Sequence, residues 1–205
     1  MTNKDKIILD LCGGTGAWSK PYKDNGYDVQ VITLPDNDVR VYKPPKVIYG
    51  LLSAPPCTDF SIARNHDIPR DMFTAMDIVN ACIRIIFQCV PVFWALENPT
   101  GLLRRYLDKP RYTFEPWEFG DPWTKKTDVW GRFNLPRAKY KCWNDVPKNE
   151  NLYIRPGRGK PSIASMHKSA MKHIDWMKDY EADDDAMFRA ITPQGFAQAF
   201  YEANR

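Results

Sequence analysis

The chain alternates short apolar runs with segments of helical period. Ile7-Ile8-Leu9 is continuously apolar, as a strand buried on both faces would be. Residues 18–25 follow as a helix, with Gly26 in the place where a left-handed residue closes it. Residues 27–34, 47–53 and 92–96 read as further strands. Between the last two, Met72, Met76, Val79, Ile83 and Ile86 recur at helical spacing, which predicts a long packed helix over residues 71–88. Residues 101–136 continue as sheet and loop with several proline breaks, and residues 192–203 end the chain as a short helix entered through Pro193. Strands alternating with helices need crossover connections, so the pattern predicts an α/β fold with a mostly parallel sheet.

The 205 residues make one domain of ordinary size with room for an appendage. Residues 1–136 are the expected core. Residues 137–178, basic and punctuated by proline and glycine, form a small lobe, and residues 179–205 return to the core. Hydrophobic residues make up 43% and charged residues 26%, a soluble globular composition that excludes a disordered chain. No secretory leader of useful length precedes Ile7, and the most apolar stretch, residues 82–96, is interrupted by Arg84, Gln88 and Pro91. Scattered cysteines without a CxxC pair argue for a reducing compartment and against a zinc site or a disulfide framework. The expectation is a cytoplasmic monomer with no metal and no membrane partner.

Charge changes this picture because it is unevenly spread. Residues 1–100 carry 10 Lys/Arg against 11 Asp/Glu, residues 101–178 carry 17 against 8, and residues 179–205 carry 2 against 6. The basic middle also holds Trp117, Trp123, Trp130, Trp143 and Trp176. Such interleaving suits a polyanion with stackable bases, and equally a solvated basic face over core tryptophans.

Three segments carry candidate chemistry, each at the end of an expected strand. Asp10-Leu11-Cys12-Gly13-Gly14-Thr15-Gly16 is a Gly-rich first loop that lacks both GxxxxGK[ST] and GxGxxG, so it fits a ligand without a pyrophosphate, such as S-adenosylmethionine. In Ser53-Ala54-Pro55-Pro56-Cys57 two prolines fix the backbone before a thiol, which is a way of presenting a nucleophile or simply a proline turn. Cys82 and Cys89, on an apolar helix, are core. Glu97-Asn98 follows an apolar strand, where burial would let the carboxyl group donate a proton at neutral pH.

With these segments in this order, the chain resembles the C5-cytosine methyltransferase family, in the compact form carried by bacteriophages and prophages. Residues 10–16 resemble its cofactor loop, with Gly14 and Gly16 as the paired glycines and Cys12 where the family has Phe. Pro56-Cys57 with Phe60-Ser61 resembles its nucleophile segment, and Glu97-Asn98-Pro99 its Glu-Asn-Val motif. Asp38-Val39 falls at the adenine contact, and Asp36 is the acid nearest the ribose position. Trp123-Thr124-Lys125-Lys126-Thr127 stands where the family has Gln-x-Arg-x-Arg, and Arg189 with Thr192-Pro193 matches its Arg-x-x-Thr-Pro segment.

The resemblance implies a Rossmann-like S-adenosylmethionine-dependent methyltransferase fold acting on cytosine in DNA, inside a bacterial host cell. It implies Cys57 as nucleophile and Glu97 as the proton-handling acid. It also implies S-adenosyl-L-methionine held by Asp10, Cys12, Gly13, Gly14, Thr15, Gly16, Asp36, Asp38, Val39 and Pro55. Pro56, Arg64, Asn98, Lys125, Lys126 and Arg189 are the expected substrate contacts. The reduced recognition region, with 10 Lys/Arg against 3 Asp/Glu in residues 137–178, implies slight sequence discrimination. RNA or a free nucleotide as substrate, or a non-catalytic nucleic-acid-binding module, are the alternatives.

Overall fold

A computed structural model of the chain describes residues 2–63 and 67–205. Six strands form one sheet: β1 (Ile7–Leu11), β2 (Asp28–Ile32), β3 (Gly50–Ser53), β4 (Phe93–Pro99), β5 (Tyr112–Phe114) and β6 (Thr127–Arg132), in the order β2-β1-β3-β4-β6-β5. Strands β1 to β4 pair in parallel, while β6 runs against both β4 and β5, so β5 again points with the first four. The expected α/β fold with a mostly parallel sheet is thus present.

Helices cover both faces, which is why the strands are apolar at consecutive positions rather than alternating. On one face, α2 (Met72–Cys89) lays Ala75, Val79, Cys82, Ile85 and Ile86 against Leu9, Leu11, Leu51 and Leu96. On the other, α1 (Lys20–Asp24) and the C-terminal helix (Gln194–Ala203) bring Tyr22, Phe196 and Phe200 onto Ile8, Leu52, Phe93 and Ala95. Phe114 of β5 stacks on Phe196 with centroids 3.8 Å apart, joining the last strand to the last helix. Helix α2 is long and apolar enough to cross a membrane by length and composition, but its apolar face packs on the sheet. Asp71 caps its start by accepting from the Thr74 N–H at 3.0 Å, one residue from the expected boundary.

Four expectations need adjustment. The strand expected over residues 47–53 begins only at Gly50, the helix expected from residue 18 is regular only from Lys20, and the last helix, expected from residue 192, begins at Gln194. The strand expected over residues 92–96 instead runs on to Pro99, so Glu97 and Asn98 lie within β4 rather than after it. All four differences lie at element ends, where local sequence is least decisive. After β6 the chain makes no strand until its end. Residues 137–178 fold as short 3₁₀ turns around Trp123, Leu152, Ile163, Met166, Ile174, Met177 and Phe188. The short helices α3 (Arg104–Leu107) and α4 (Asp185–Ala190) precede and follow this lobe, and the C-terminal helix is α5. The lobe is fastened to the sheet domain through Asp121, which accepts from Trp176 Nε1 at 3.0 Å and from the Gly195 N–H at 3.1 Å.

The aromatic residues of the basic region therefore divide. Trp123 and Trp130 are buried and so unavailable to a base, while Trp176 is half-buried and fixed by its Nε1 bond to Asp121. Trp117 and Trp143 remain near the surface, edge to face at 6.4 Å, with Lys160 Nζ 4.8 and 5.2 Å from their rings.

Candidate active site

The carboxyl ends of β1, β3 and β4 open into one cavity, about 590 Å³ including its mouth. This is where a parallel sheet leaves a crevice, because the loops leaving neighbouring strands diverge. Each segment of candidate chemistry reaches it. Asp10 comes from the end of β1, Cys12, Gly13, Gly14 and Thr15 from the loop after it, Pro55, Pro56 and Cys57 from the β3 loop, and Glu97 from β4.

The β1 loop is held by its own backbone. Cys12 has φ +55° and donates its N–H to the Ile32 carbonyl at 2.7 Å. A Cβ at Gly13 would lie 2.5 Å from the Asp10 carboxyl carbon, so only glycine lets the loop fold back over that side chain. Gly14, at φ +52°, has open space where a side chain would stand.

Asp10 is fully buried. Its Oδ2 accepts from Ser19 Oγ at 2.6 Å, while Oδ1 has no partner. Burial, opposed by the Ser19 bonds and helped by the nearby Glu97 charge, pushes its pKa up to about 6. Trp18 Nε1 in the same cavity is buried and unpartnered too. An orphaned carboxylate oxygen beside an orphaned N–H donor, over open backbone, fits a ligand with both cationic and acceptor groups, as S-adenosylmethionine has.

The β3 loop is pinned to both neighbouring strands. The Ala54 N–H donates to the Leu11 carbonyl at 2.9 Å, and Asn98 Nδ2 donates to the Pro55 carbonyl at 2.9 Å. The Cys57 carbonyl then accepts from the N–H groups of Phe60 and Ser61, closing the turn that presents the thiol. Glu97 is buried with Oε2 unpartnered.

Lys125 completes the group. Glu115 Oε2 accepts its N–H at 2.9 Å, which brings the side chain to the cavity wall. Burial raises the Cys57 thiol, the Lys125 ammonium draws it down, and the Glu97 carboxylate raises it again. Burial likewise raises Glu97 and Lys125 lowers it. Cys12, the other thiol lining the cavity, has no such cation. The adjoining Cys82 thiol and burial push it up, and the charges of Asp10 and Asp38 add to that. Of the two thiols, electrostatics favours the thiolate at Cys57.

Several expected site residues stand elsewhere. Asp38 is engaged by Arg40 at 2.6 Å, Val39 is buried in the core, and Asp36 is exposed; none of the three lines the cavity. Gly16 supports the loop from outside the cavity wall, accepting from the Lys20 N–H at 2.9 Å. Lys126 is exposed beside the site, and Asn98 acts on Pro55 from behind it. Arg189 donates to the Met166 carbonyl at 2.8 Å and to Asp185 at 3.3 Å, joining α4 to the lobe. Arg64 lies outside the described residues. Conversely, Met187, Ala190, Ile191 and Thr192 also line the cavity. Thr192 carries a signal in the Arg-x-x-Thr-Pro pattern, which spans Ala190 and Ile191 without specifying them, whereas Met187 carries none. Among the described residues, no group of three or more His, Cys, Asp or Glu side chains is placed to hold a metal ion.

No protein-family model and no curated protein sequence matches the chain. Among solved structures it is similar to a candidate DNA modification methyltransferase encoded within an E. coli prophage, with TM-score 0.52 and 15% identity over 75% of this chain and 56% of that one. It is also similar to Spodoptera frugiperda Dnmt2 (TM-score 0.42, 14% identity, 75% and 61% covered). The S. pombe Dnmt2 methyltransferase gives TM-score 0.42 and 14% identity, with 86% and 68% covered. The chain thus spans little more than half the length of the prophage protein, and what it shares with that protein is the methyltransferase α/β fold.

Proposed function

We propose that the chain is a DNA (cytosine-5)-methyltransferase that uses S-adenosyl-L-methionine. The observation that carries this reading is the meeting of Cys57, Glu97 and Lys125 in the cavity that also holds the orphaned oxygen of Asp10. A binding module needs neither a thiol set beside a lysine nor a buried, unpartnered carboxyl group. Asp10, Trp18 and the backbone of residues 12–15 would hold the cofactor, which when bound supplies an electrophilic methyl group.

The side chains have complementary tasks. Cytosine carbon 5 is a poor nucleophile until the ring loses its aromaticity. The Cys57 thiolate adds to carbon 6, and the displaced electron pair moves through the ring to N3, where the Glu97 carboxyl group delivers its proton. The result is an enamine with electron density at carbon 5. After carbon 5 has been methylated, N3 returns its proton to Glu97, and loss of the carbon 5 proton to solvent expels the thiolate. Lys125 stabilises the thiolate at the start and the Glu97 carboxylate once it has given up its proton.

A base inside a duplex cannot reach this cavity, so the target is flipped out or unpaired. Lys126, the lobe cations and the Trp117–Trp143 pair would hold the strand, giving salt-dependent binding. Labelled methyl transfer tests the reading, with duplex DNA, single-stranded DNA, RNA and dCMP offered in parallel and the product nucleoside identified by mass. 5-Methylcytosine in DNA that disappears with Cys57→Ala is the expected result. Label confined to RNA or dCMP would replace the substrate and keep the mechanism. Absence of transfer to all four would leave a binding module.

A further inference from the structure

The amino ends of the strands carry a second cavity with the reverse chemistry. Its walls include Tyr49, Arg111, Arg132, Phe133, Asn134 and Arg205. Phe93 opens β4 at this end and Glu97 lies four residues along it, which at about 3.3 Å per residue puts the two cavities about 13 Å apart along that strand alone.

None of the three arginines forms an ion pair among the described residues. The Arg111 guanidinium lies over the Phe133 ring at 5.5 Å, which orients it without using its hydrogen-bond donors. Arg132 is fixed through Nη2, which donates to the Pro91 carbonyl at 2.5 Å and the Val92 carbonyl at 3.3 Å, and its other side-chain donors have no partner among the described residues. Lys6 adds a fourth cation at the rim, 4.5 Å from the centre of the Tyr49 ring. The floor is locked by reciprocal bonds, from the Asn134 N–H to Asn204 Oδ1 at 2.7 Å and from Asn204 Nδ2 to the Asn134 carbonyl at 3.0 Å. The end of β6 is thus tied to the end of α5, and the concavity exists before anything binds.

Guanidinium groups repel one another, and several gathered round one concavity with no Asp or Glu side chain in its lining form a site for an anion of more than one charge or of several oxygens. Their planar forks match phosphate oxygens two at a time, and the half-buried ring of Tyr49 supplies a flat surface against which a base can lie. We propose that this cavity binds a nucleotide phosphate, with Arg111, Arg132 and Arg205 on the phosphate oxygens. A free nucleotide and a nucleic-acid backbone share that chemistry. The site is independent of the proposed methyl transfer, because it lies at the other end of the sheet and uses none of the same residues.

Calorimetric titration of the full chain tests this, with dAMP as the monoester probe and an octathymidylate lacking terminal phosphates as the diester probe. Arg111→Gln and Arg205→Gln are the informative variants, since both side chains are exposed and neither makes a hydrogen bond within the described residues. Each should weaken binding roughly tenfold or more, while Lys125→Gln in the catalytic cavity leaves dAMP binding unchanged. Binding of dAMP alone that falls in the arginine variants identifies a free nucleotide, and octathymidylate binding that falls in the same variants identifies a nucleic-acid backbone; either supports the site, whereas octathymidylate binding indifferent to both arginines belongs to the other face and counts against it. Unchanged affinity in the double variant Arg111→Gln/Arg205→Gln overturns it. So does loss of binding in Lys125→Gln instead, or equal competition by polyglutamate, which would make the cavity a site for acidic peptide.

Discussion

Among the described residues, Asp10 and Glu97 at the carboxyl ends of the strands are buried with oxygens that no protein group satisfies, whereas at the amino ends Arg111, Arg132 and Arg205 stand exposed without an ion-pair partner. Both ends carry unpaired polar groups, but burial gives them different powers. A buried carboxyl group resists ionisation and so comes to exchange protons near neutral pH. An exposed guanidinium stays charged at every physiological pH, so it can hold an anion but cannot move a proton. The sheet thus separates an end whose groups can exchange protons, the proposed reactive end, from one whose groups can only hold an anion, the proposed binding end, and the separation is made by depth as much as by residue type.

The largest expected effect is at the reactive end. Glu97→Gln keeps the shape and removes the transferable proton, so methyl transfer should fall by about 10² to 10⁴-fold. Alkylation of Cys57 by iodoacetamide should persist, and at neutral pH run as fast or faster, because the Glu97 charge no longer opposes the thiolate. Collapse of both activities together would mean that Glu97 serves the fold rather than the reaction.

Asp10 comes next, and its effect is on stability. Its pKa of about 6 in the folded chain lies above its ordinary value of 3.8, so the folded state binds the proton more tightly than the unfolded state does. Stability that is fully present below about pH 4 is therefore lost as pH rises through about 6, in all about 3 kcal/mol at about 1.4 kcal/mol per unit. Asp10→Asn retains an acceptor for Ser19 Oγ and has no charge to bury. Urea unfolding at pH 4.5 and 7.5 should show the wild type losing more stability than the variant across that interval. Parallel losses in the two proteins would count against a buried, destabilising carboxylate at this position. Asp121, raised by burial to about 7, contributes a loss of the same sign in both proteins and cancels in the difference.

A smaller effect belongs to Lys125. Its ammonium draws the Cys57 thiol down, so Lys125→Met should move the rising limb of alkylation against pH to higher pH and slow the reaction several-fold at neutrality. A limb that stays in place would return Lys125 to the strand-holding role expected from its sequence. The readout does not depend on the substrate, which keeps it separate from any loss of nucleic-acid binding.

That role for Lys125 marks where the sequence stops being legible. The strands and α2 could be read because their side-chain periods are local: Leu9 and Leu51 meet α2 while Ile8 and Leu52 meet α5. The Pro-Pro-Cys and Glu-Asn segments were legible because each directly follows an apolar run. Lys125 reaches the cavity through a bond to Glu115, ten residues back, at the entrance of a strand that runs antiparallel to its neighbours. Nothing local encodes that. Residues 137–178 have no period at all, since 3₁₀ turns packed on scattered apolar anchors leave none, and only the returning chain brings Met187 and Ala190 to the cavity. Burial of Trp123 and Trp130 was hidden for the same reason: a tryptophan among lysines has the same local pattern whether it points in or out.

The smallest effect concerns backbone strain, which both ends of the sheet also carry. Cys12, with φ +55°, lies in the β1 loop at the reactive end, and Val90, with φ +44°, ends α2 just before β4 at the binding end. Left-handed backbone costs an ordinary L residue about 1–2 kcal/mol, and a β-branched one is the less suited to it. Val90 is exposed and contributes little packing, and its N–H reaches the Ile86 carbonyl at 3.0 Å whatever the side chain. Val90→Gly should therefore gain about 0.5–1 kcal/mol after the extra freedom of glycine in the unfolded chain is subtracted, a rise in Tm of about 2 °C. Cys12→Gly removes similar strain but also the contact with the core around Cys82, so its Tm should stay level or fall. If both variants melt higher by the same amount, the strain at Cys12 is as dispensable as that at Val90. A gain at Val90 alone would mean that the reactive end keeps its strain because the same residue is needed to close the wall of the cavity.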